Sequence, residues 1–309
     1  MKSPSKLVKI KKKVSSDFNN YCLIKYLKLL QPSWTKVFAY KMIRTKNVKI
    51  NSKSTTINYR LQEGDLVEIF GSEKVKIKDL NLSKLKTLKV IYEDENALIA
   101  NKEVKISVQS DEKSAFNNMN NRLLQHLNWD AGSNKWKPVF IHRLDYNTTG
   151  LLIAAKNYQS WQNLNKAQKE QQIIKKYKAL VNGIVSFKER IIKLWLLKRD
   201  KKVEVVAPNT KGAKEAITKV KLIKHYFAHN SSLLELELVT GKTHQIRAHL
   251  ASLNYPIRGD QKYGVEKNKK DFPYPALCAY KLKFLESIEI ETLKNKEFEI
   301  RDIWFEKLL

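Results

Sequence analysis

Glycine is scarce in this 309-residue chain. There are nine, and no Gly-rich loop precedes a helical stretch. That excludes both common phosphate cradles, in which glycines let backbone amides close on a nucleotide. Cysteine is scarcer still. Cys22 and Cys278 are the only two, and no Cys-x-x-Cys pair exists. Two distant thiols make no disulfide framework, which fits a reducing cytosol. A serine hydrolase needs a Gly-x-Ser-x-Gly elbow, and none is present. His244 and His249 are five residues apart, about 140° around a helix, so they do not share a face as metal ligands would. No apolar run approaches the ~18–20 residues of a membrane span. The N-terminal MKSPSKLVKIKKKVSS is basic but has no apolar core, so it is not read as a secretory signal.

Arginine is also rare. The chain has 59 basic and 31 acidic residues, a net charge of +28. Only nine of the basic residues are arginine, at 44, 60, 122, 143, 190, 199, 247, 258 and 301. Such a charge points to a polyanionic partner, usually nucleic acid. A coding bias toward lysine would inflate the charge as well, yet even a biased surface attracts phosphate. Where a point charge suffices, this chain uses lysine. An arginine therefore suggests a need for a planar, bidentate or stacking group.

Residues 18–70 read as one small unit. Leu23, Leu27 and Leu30 form a helical stripe. Pro32 stops that helix and Ser33 can cap the next, which presents Lys41 and Arg44 to solvent. Two strands follow, Val48–Ile50 and Leu66–Ile69. Residues 1–17 read as a disordered basic arm and 71–87 as a lysine-rich linker. From 88 to 309 the pattern is a hairpin at LKVIYEDENALIANK, a helix at SAFNNMNNRLLQHL, and a helix over 160–170. Strands at 177–181, 216–222 and 233–238 and a helix at 243–253 come next. There are too few helices for a βαβ crossover between each pair of strands. The expected class is α+β, with a mixed, mostly antiparallel sheet flanked by helices in the larger part.

Three segments could carry chemistry. In IHRLDYNTTGLL, Asp145 stands between an apolar run and a turn. In KKYKALVNG, Tyr177 lies in a strand. In LVTGKTHQIRAHLASLNYPIRGDQKYG, Arg247 sits on a helix among apolar or small residues, so it is expected to be partly buried and to need a carboxylate. On pattern alone, a structural Arg–Asp pair with a core tyrosine stands beside a reactive carboxylate.

Taken together, the three segments resemble the motifs of RluA-type pseudouridine synthases, with HRLDYNTTG as the signature. The N-terminal unit, through KNVKINSK and LQEGDLVEI, resembles an S4 RNA-binding domain, which the large-subunit ribosomal RNA branch of that family carries. S4 domains usually have glycine where Asn47 and Ser52 stand; the synthase family usually has arginine at Lys242 and histidine at Cys278. The resemblance implies isomerisation of uridine within RNA, without cofactor or metal. It implies Asp145 as the catalytic residue, Arg247 as its partner and Tyr177 as the platform that stacks on the flipped base. Arg143 would fill the space that the base leaves. His142, Lys242, His244, Arg44 and Lys41 are the further expected RNA contacts. The expected partner is large-subunit ribosomal RNA or a precursor particle, met in the cytoplasm by a monomer. A transfer RNA synthase of the same fold and a non-catalytic ribosome-assembly factor are the alternatives.

Overall fold

The computed structural model describes residues 8–31, 34–70, 85–109, 116–130, 135–200, 202–264 and 272–308. Pro32, Ser33, residues 1–7 of the expected arm and 71–84 of the expected linker lie outside the described residues. The chain divides into two compact units. One lies within Met1–Leu85, Leu124–Pro138 and Lys156–Gln159, and the other within Lys86–Leu123, Val139–Ala155 and Ser160–Leu309.

The N-terminal unit has β1 (Val8–Lys13), α1 (Leu23–Leu30), α2 (Lys36–Arg44), β2 (Val48–Ile50), β3 (Lys53–Ser54) and β4 (Leu66–Phe70). The strands order as β1-β4-β2-β3. β1 corrects the expectation of a disordered arm over 1–17. It pairs antiparallel with β4, Lys11 opposite Glu68, and Lys11 Nζ lies 3.4 Å from Glu68 Oε1. The alternation that marks a strand was hidden in lysine: Ile10 is half-buried and Val14 is 1% exposed. Helix α2 is capped by Thr35, whose hydroxyl accepts from Phe38 N at 3.1 Å, which is the capping geometry expected of a threonine. The β2–β3 turn places Asn51 and Ser52 at φ +51° and +65°. This two-residue turn needs a left-handed backbone at both positions. Ser52 is held there by its hydroxyl donating to Glu68 at 3.2 Å. The unit also takes in Trp136 and Tyr158: the Tyr158 ring stands edge-on to Tyr21 at 4.6 Å, and Trp136 N donates to Asp17 at 3.3 Å. It is therefore larger than 18–70.

The second unit is built on an 11-stranded sheet. Its strands are β5 (Val90–Glu93), β6 (Ala97–Lys102), β7 (Val139–Phe140), β8 (Thr149–Ala155), β9 (Ile173–Asn182) and β10 (Glu189–Arg199). They continue with β11 (Lys202–Val206), β12 (Lys214–Tyr226), β13 (Ser231–Leu238), β14 (Leu277–Phe284) and β15 (Glu297–Glu299). The order is β11-β10-β12-β13-β9-β14-β8-β6-β5, with β15 on β14 and β7 on β8. All pairings are antiparallel except β14 with β8. The helices are α3 (Met119–His126), α4 (Tyr158–Lys169) and α5 (Gln245–Ser252), so the expected α+β class with a mostly antiparallel sheet holds.

Two features of this frame position the site. Gly150 has φ +124° and lies beside β14; a Cβ there would sit 2.3 Å from Ala279 O. Only glycine lets the chain leave the Asp145 turn and join β14 in parallel. Helix α5 lies against β10, β11 and β12, with Ala248 in one cluster with Leu196, Val203 and Ala216. Gln245, 2% exposed, ties its first turn to the sheet. Its amide donates to Ile217 O and Thr218 Oγ1 and accepts from Lys242 N and Thr240 Oγ1.

Candidate active site

Asp145 follows β7 in a turn closed by Thr148 N donating to Asp145 O at 3.0 Å. Its Oδ2 accepts from Arg247 Nη1 at 3.0 Å. Arg247 in turn forks onto Asp260: Nε to Oδ2 and Nη2 to Oδ1, both at 2.7 Å. The Asp260 side chain is 0% exposed. The expected Arg247–Asp145 pair is therefore present, but it is the outer half of a triad. The bidentate partner is Asp260, at the end of the Pro-Ile-Arg-Gly-Asp loop. Gly259 allows that loop, since a Cβ there would meet Tyr274 O at 2.2 Å.

The two carboxylates keep the guanidinium charged despite its burial, raising its pKa above the ordinary arginine value. Burial alone would do the reverse. Arg247 also lies 5.1 Å from the centre of the Tyr263 ring, a stacking contact that lysine would make poorly. Asp145 Oδ1 accepts no hydrogen bond from the described residues.

His244 opens α5 with a left-handed backbone, φ +52°. That conformation is costly for a residue with a side chain, and such strain gathers at functional sites. The Tyr263 hydroxyl accepts from Val203 N at 2.8 Å, so its own proton can go to His244 Nδ1, 2.9 Å away. Nε2 then carries the imidazole proton and lies 3.8 Å from Asp145 Oδ2. Burial lowers the His244 pKa, against the pull of Asp145, and so favours the neutral ring.

Tyr177 lies in β9 opposite Leu236 of β13 and is 6% exposed. Burial and the charge of Asp145 raise its pKa, so the phenol stays protonated. Asp145, Tyr177, His244 and Arg247 line one cavity of about 660 Å³. Arg143 and Lys242 line it too, Arg143 exposed and Lys242 half-buried. Asp145, Arg143, His244 and Arg247 also line a second cavity of about 590 Å³.

The other expected contacts are His142, Lys41 and Arg44. His142 lines the first cavity, but its Nε2 accepts from Ile153 N at 3.1 Å, and burial holds its pKa well below the ordinary value. Its ring is committed to the backbone between the loop and β8. Lys41 and Arg44 are exposed on α2, in the N-terminal unit.

Besides Asp260, there is a further contributor of which the sequence gives no sign. Lys102, at the end of β6, is 0% exposed. Its ammonium donates to Glu103 O at 2.8 Å, Tyr146 O at 3.0 Å and Thr148 O at 2.8 Å. Two of those carbonyls belong to the turn that carries Asp145. Burial pulls its pKa down to about 7, while three oxygen acceptors favour the charged form. Among fifty lysines nothing in the sequence singled it out. Lys102→Met should lower both Tm and kcat, because buried carbonyls left without a donor cost about 1–3 kcal/mol each. Thermal melts and single-turnover rates would check this; unchanged kcat would separate the lysine from the site.

A family model described as RNA pseudouridylate synthase matches residues 96–252. The chain belongs to the RNA pseudouridylate synthase family. Relatives agree along nearly the whole length of this synthase. It is 33% identical over 297 residues to "Ribosomal large subunit pseudouridine synthase C" of Rickettsia typhi, covering 90% of this chain and 92% of the relative. A protein of the same name from Buchnera aphidicola is 36% identical over 236 residues, 74% of this chain and 72% of the relative. An RNA pseudouridine synthase of Mycoplasma genitalium is 31% identical over the full length of both chains. Among solved structures, Human RNA Pseudouridylate Synthase Domain Containing 1 has the same fold, with TM-score 0.56 and 23% identity over 72% of this chain and 86% of that one. Domain Containing 4 gives 0.57 and 20%, over 72% and 91%. The motifs Asp145, Tyr177 and Arg247 lie inside the matched region of the pseudouridine synthase model.

Proposed function

We propose that this pseudouridine synthase isomerises uridines in large-subunit ribosomal RNA, with Asp145 as the catalytic carboxylate. The observation that carries the assignment is the division of labour at Asp145. One oxygen is fixed by Arg247, while Oδ1 takes no hydrogen bond from the described residues, and Asp145 lines the cavity. A carboxylate held in this way can attack the sugar or stabilise positive charge developing on it, as in glycosidases. In the reaction the N1–C1′ bond breaks, uracil turns, C5 bonds to C1′, and the C5 hydrogen is replaced at the ring by one on N1. The target must leave its stack to reach Asp145. Tyr177 is then the face on which uracil lies, and exposed Arg143 fills the gap in the RNA. The large-subunit substrate is supported by the names of the relatives from Rickettsia and Buchnera. The working place is the cytoplasm, where ribosomes assemble.

The direct test is chemical mapping of pseudouridine in ribosomal and transfer RNA from a strain lacking the gene, before and after it is restored. Sites that return in large-subunit RNA support the assignment. Sites that return only in transfer RNA would replace the substrate, and no site at all would leave an RNA-binding protein.

The N-terminal unit is read as an S4-like RNA-binding module. Lys41 and Arg44 share one exposed edge of α2, three residues apart. The double change Lys41→Glu, Arg44→Glu should weaken RNA binding and make it less salt-sensitive. The loss in log–log slope should be about 0.7 to 0.9 per phosphate contact removed. Equal affinity and slope would argue against an RNA-binding α2.

A further inference from the structure

Lys175 stands two residues before Tyr177 in β9, on the same face of the strand, and lines the same cavity. Its surroundings differ from those of Lys102. Lys102 has a backbone oxygen for each N–H. The Lys175 ammonium donates only to the Gln168 side chain among the described residues. Lys175 is half-buried, and among the described residues no carboxylate pairs with it. A sheltered cation with one neutral partner is an unfavourable arrangement for the protein alone. It becomes favourable when an anion enters.

The charges around Lys175 indicate which anion. The acidic residues of the cavity are already engaged: Glu237 with Lys219 at 2.7 Å and Asp145 with Arg247 at 3.0 Å. The lining cations Arg143, Lys169 and Lys242 have no ion pair among the described residues. The uncompensated charge of the cavity is thus positive throughout. A uridine drawn out of its stack carries its own phosphates with it. Resting on the reading of this cavity as an RNA-modifying site, we infer that Lys175 is a substrate contact that binds a backbone phosphate beside the target uridine. Burial draws its pKa down to about 8, and a phosphate beside it would oppose that shift. His142 is the titratable neighbour on which its charge acts, and that ring is already held neutral.

The test measures binding, so it does not depend on which carboxylate does the chemistry. Affinity of the full chain for a short RNA hairpin with one unpaired uridine in its loop is followed across a salt series. Lys175→Met should make the log–log slope shallower by about 0.7, the share of one single-strand phosphate. Lys175→Arg should restore it. With the unaltered protein, replacing loop phosphates one at a time by neutral methylphosphonates should find one linkage whose loss weakens binding. Lys175→Met should be indifferent to that same replacement. An unchanged slope in Lys175→Met, or no such linkage, would overturn the assignment and leave Lys175 as a structural partner of Gln168. The methylphosphonate series stands even if the methionine variant folds poorly. Failure here leaves Asp145 untouched, and failure of the Asp145 assignment leaves the slope readable.

Discussion

Asp145→Asn should abolish pseudouridine formation, with a single-turnover rate lower by about 10³-fold or more. That is the scale on which removal of one positioned catalytic group is felt. The substitution is chosen for what it preserves. The carboxamide has the same shape, and its oxygen can still accept from Arg247 Nη1, now 3.0 Å from Oδ2. Asparagine can neither attack a sugar carbon as an anion nor compensate a developing positive charge. RNA affinity and Tm should therefore stay near those of the parent while the rate collapses. A rate within tenfold of the parent would show that the carboxylate is a scaffold for Arg247 and that the chemistry lies elsewhere.

The sequence makes the segments of the candidate site legible because each combines a charged or aromatic residue with a setting that wants to be buried. Asp145 and Arg247 stand out against apolar neighbours, and arginine is rare enough here for its choice to carry meaning. Asp260 stands in the same segment as Arg247, yet one buried arginine calls for one carboxylate, and nothing in the spacing tells that this one holds two. Lys102 and Lys175 were invisible for the opposite reason. In a chain with fifty lysines, burial of one is a tertiary event: Lys102 closes on carbonyls of residues 146 and 148, more than forty positions away.

The fold shows the same division. The strand around Tyr177 and the helix of Arg247 are legible from local period. The edge strand β11 and its neighbour β10 are not, because exposed Ile191 and Val205 interrupt the alternation of buried and exposed positions. β1 was masked by its lysines. The parallel contact of β8 with β14 joins residues about 130 positions apart, Thr149 with Cys278. No local pattern encodes it; only the glycine at 150 marks the close approach.

Arg247→Lys should be the second most damaging change, lowering kcat by about 10²-fold with RNA affinity held within a few-fold. Arg247 uses three nitrogens: Nε and Nη2 on Asp260, Nη1 on Asp145. A lysine offers one shorter point charge that cannot fork. It must serve one carboxylate, and burial decides which. The Asp260 side chain is 0% exposed and that of Asp145 23%, so leaving Asp260 unpaired costs far more. The ammonium goes to Asp260, and Asp145 loses the donor that fixes its rotamer. Loss of about 3 kcal/mol of positioning corresponds to about two decades in rate. Arg247→Met should differ in kind. It strands both carboxylates, and breaking a buried pair from one side costs about 3–5 kcal/mol, so its main signature is a fall in Tm. The lysine variant should melt nearer to the parent, because the deeper pair survives. If the two variants lost stability equally, the lysine would not be reaching Asp260, and the order of the two pairs argued from burial would be reversed.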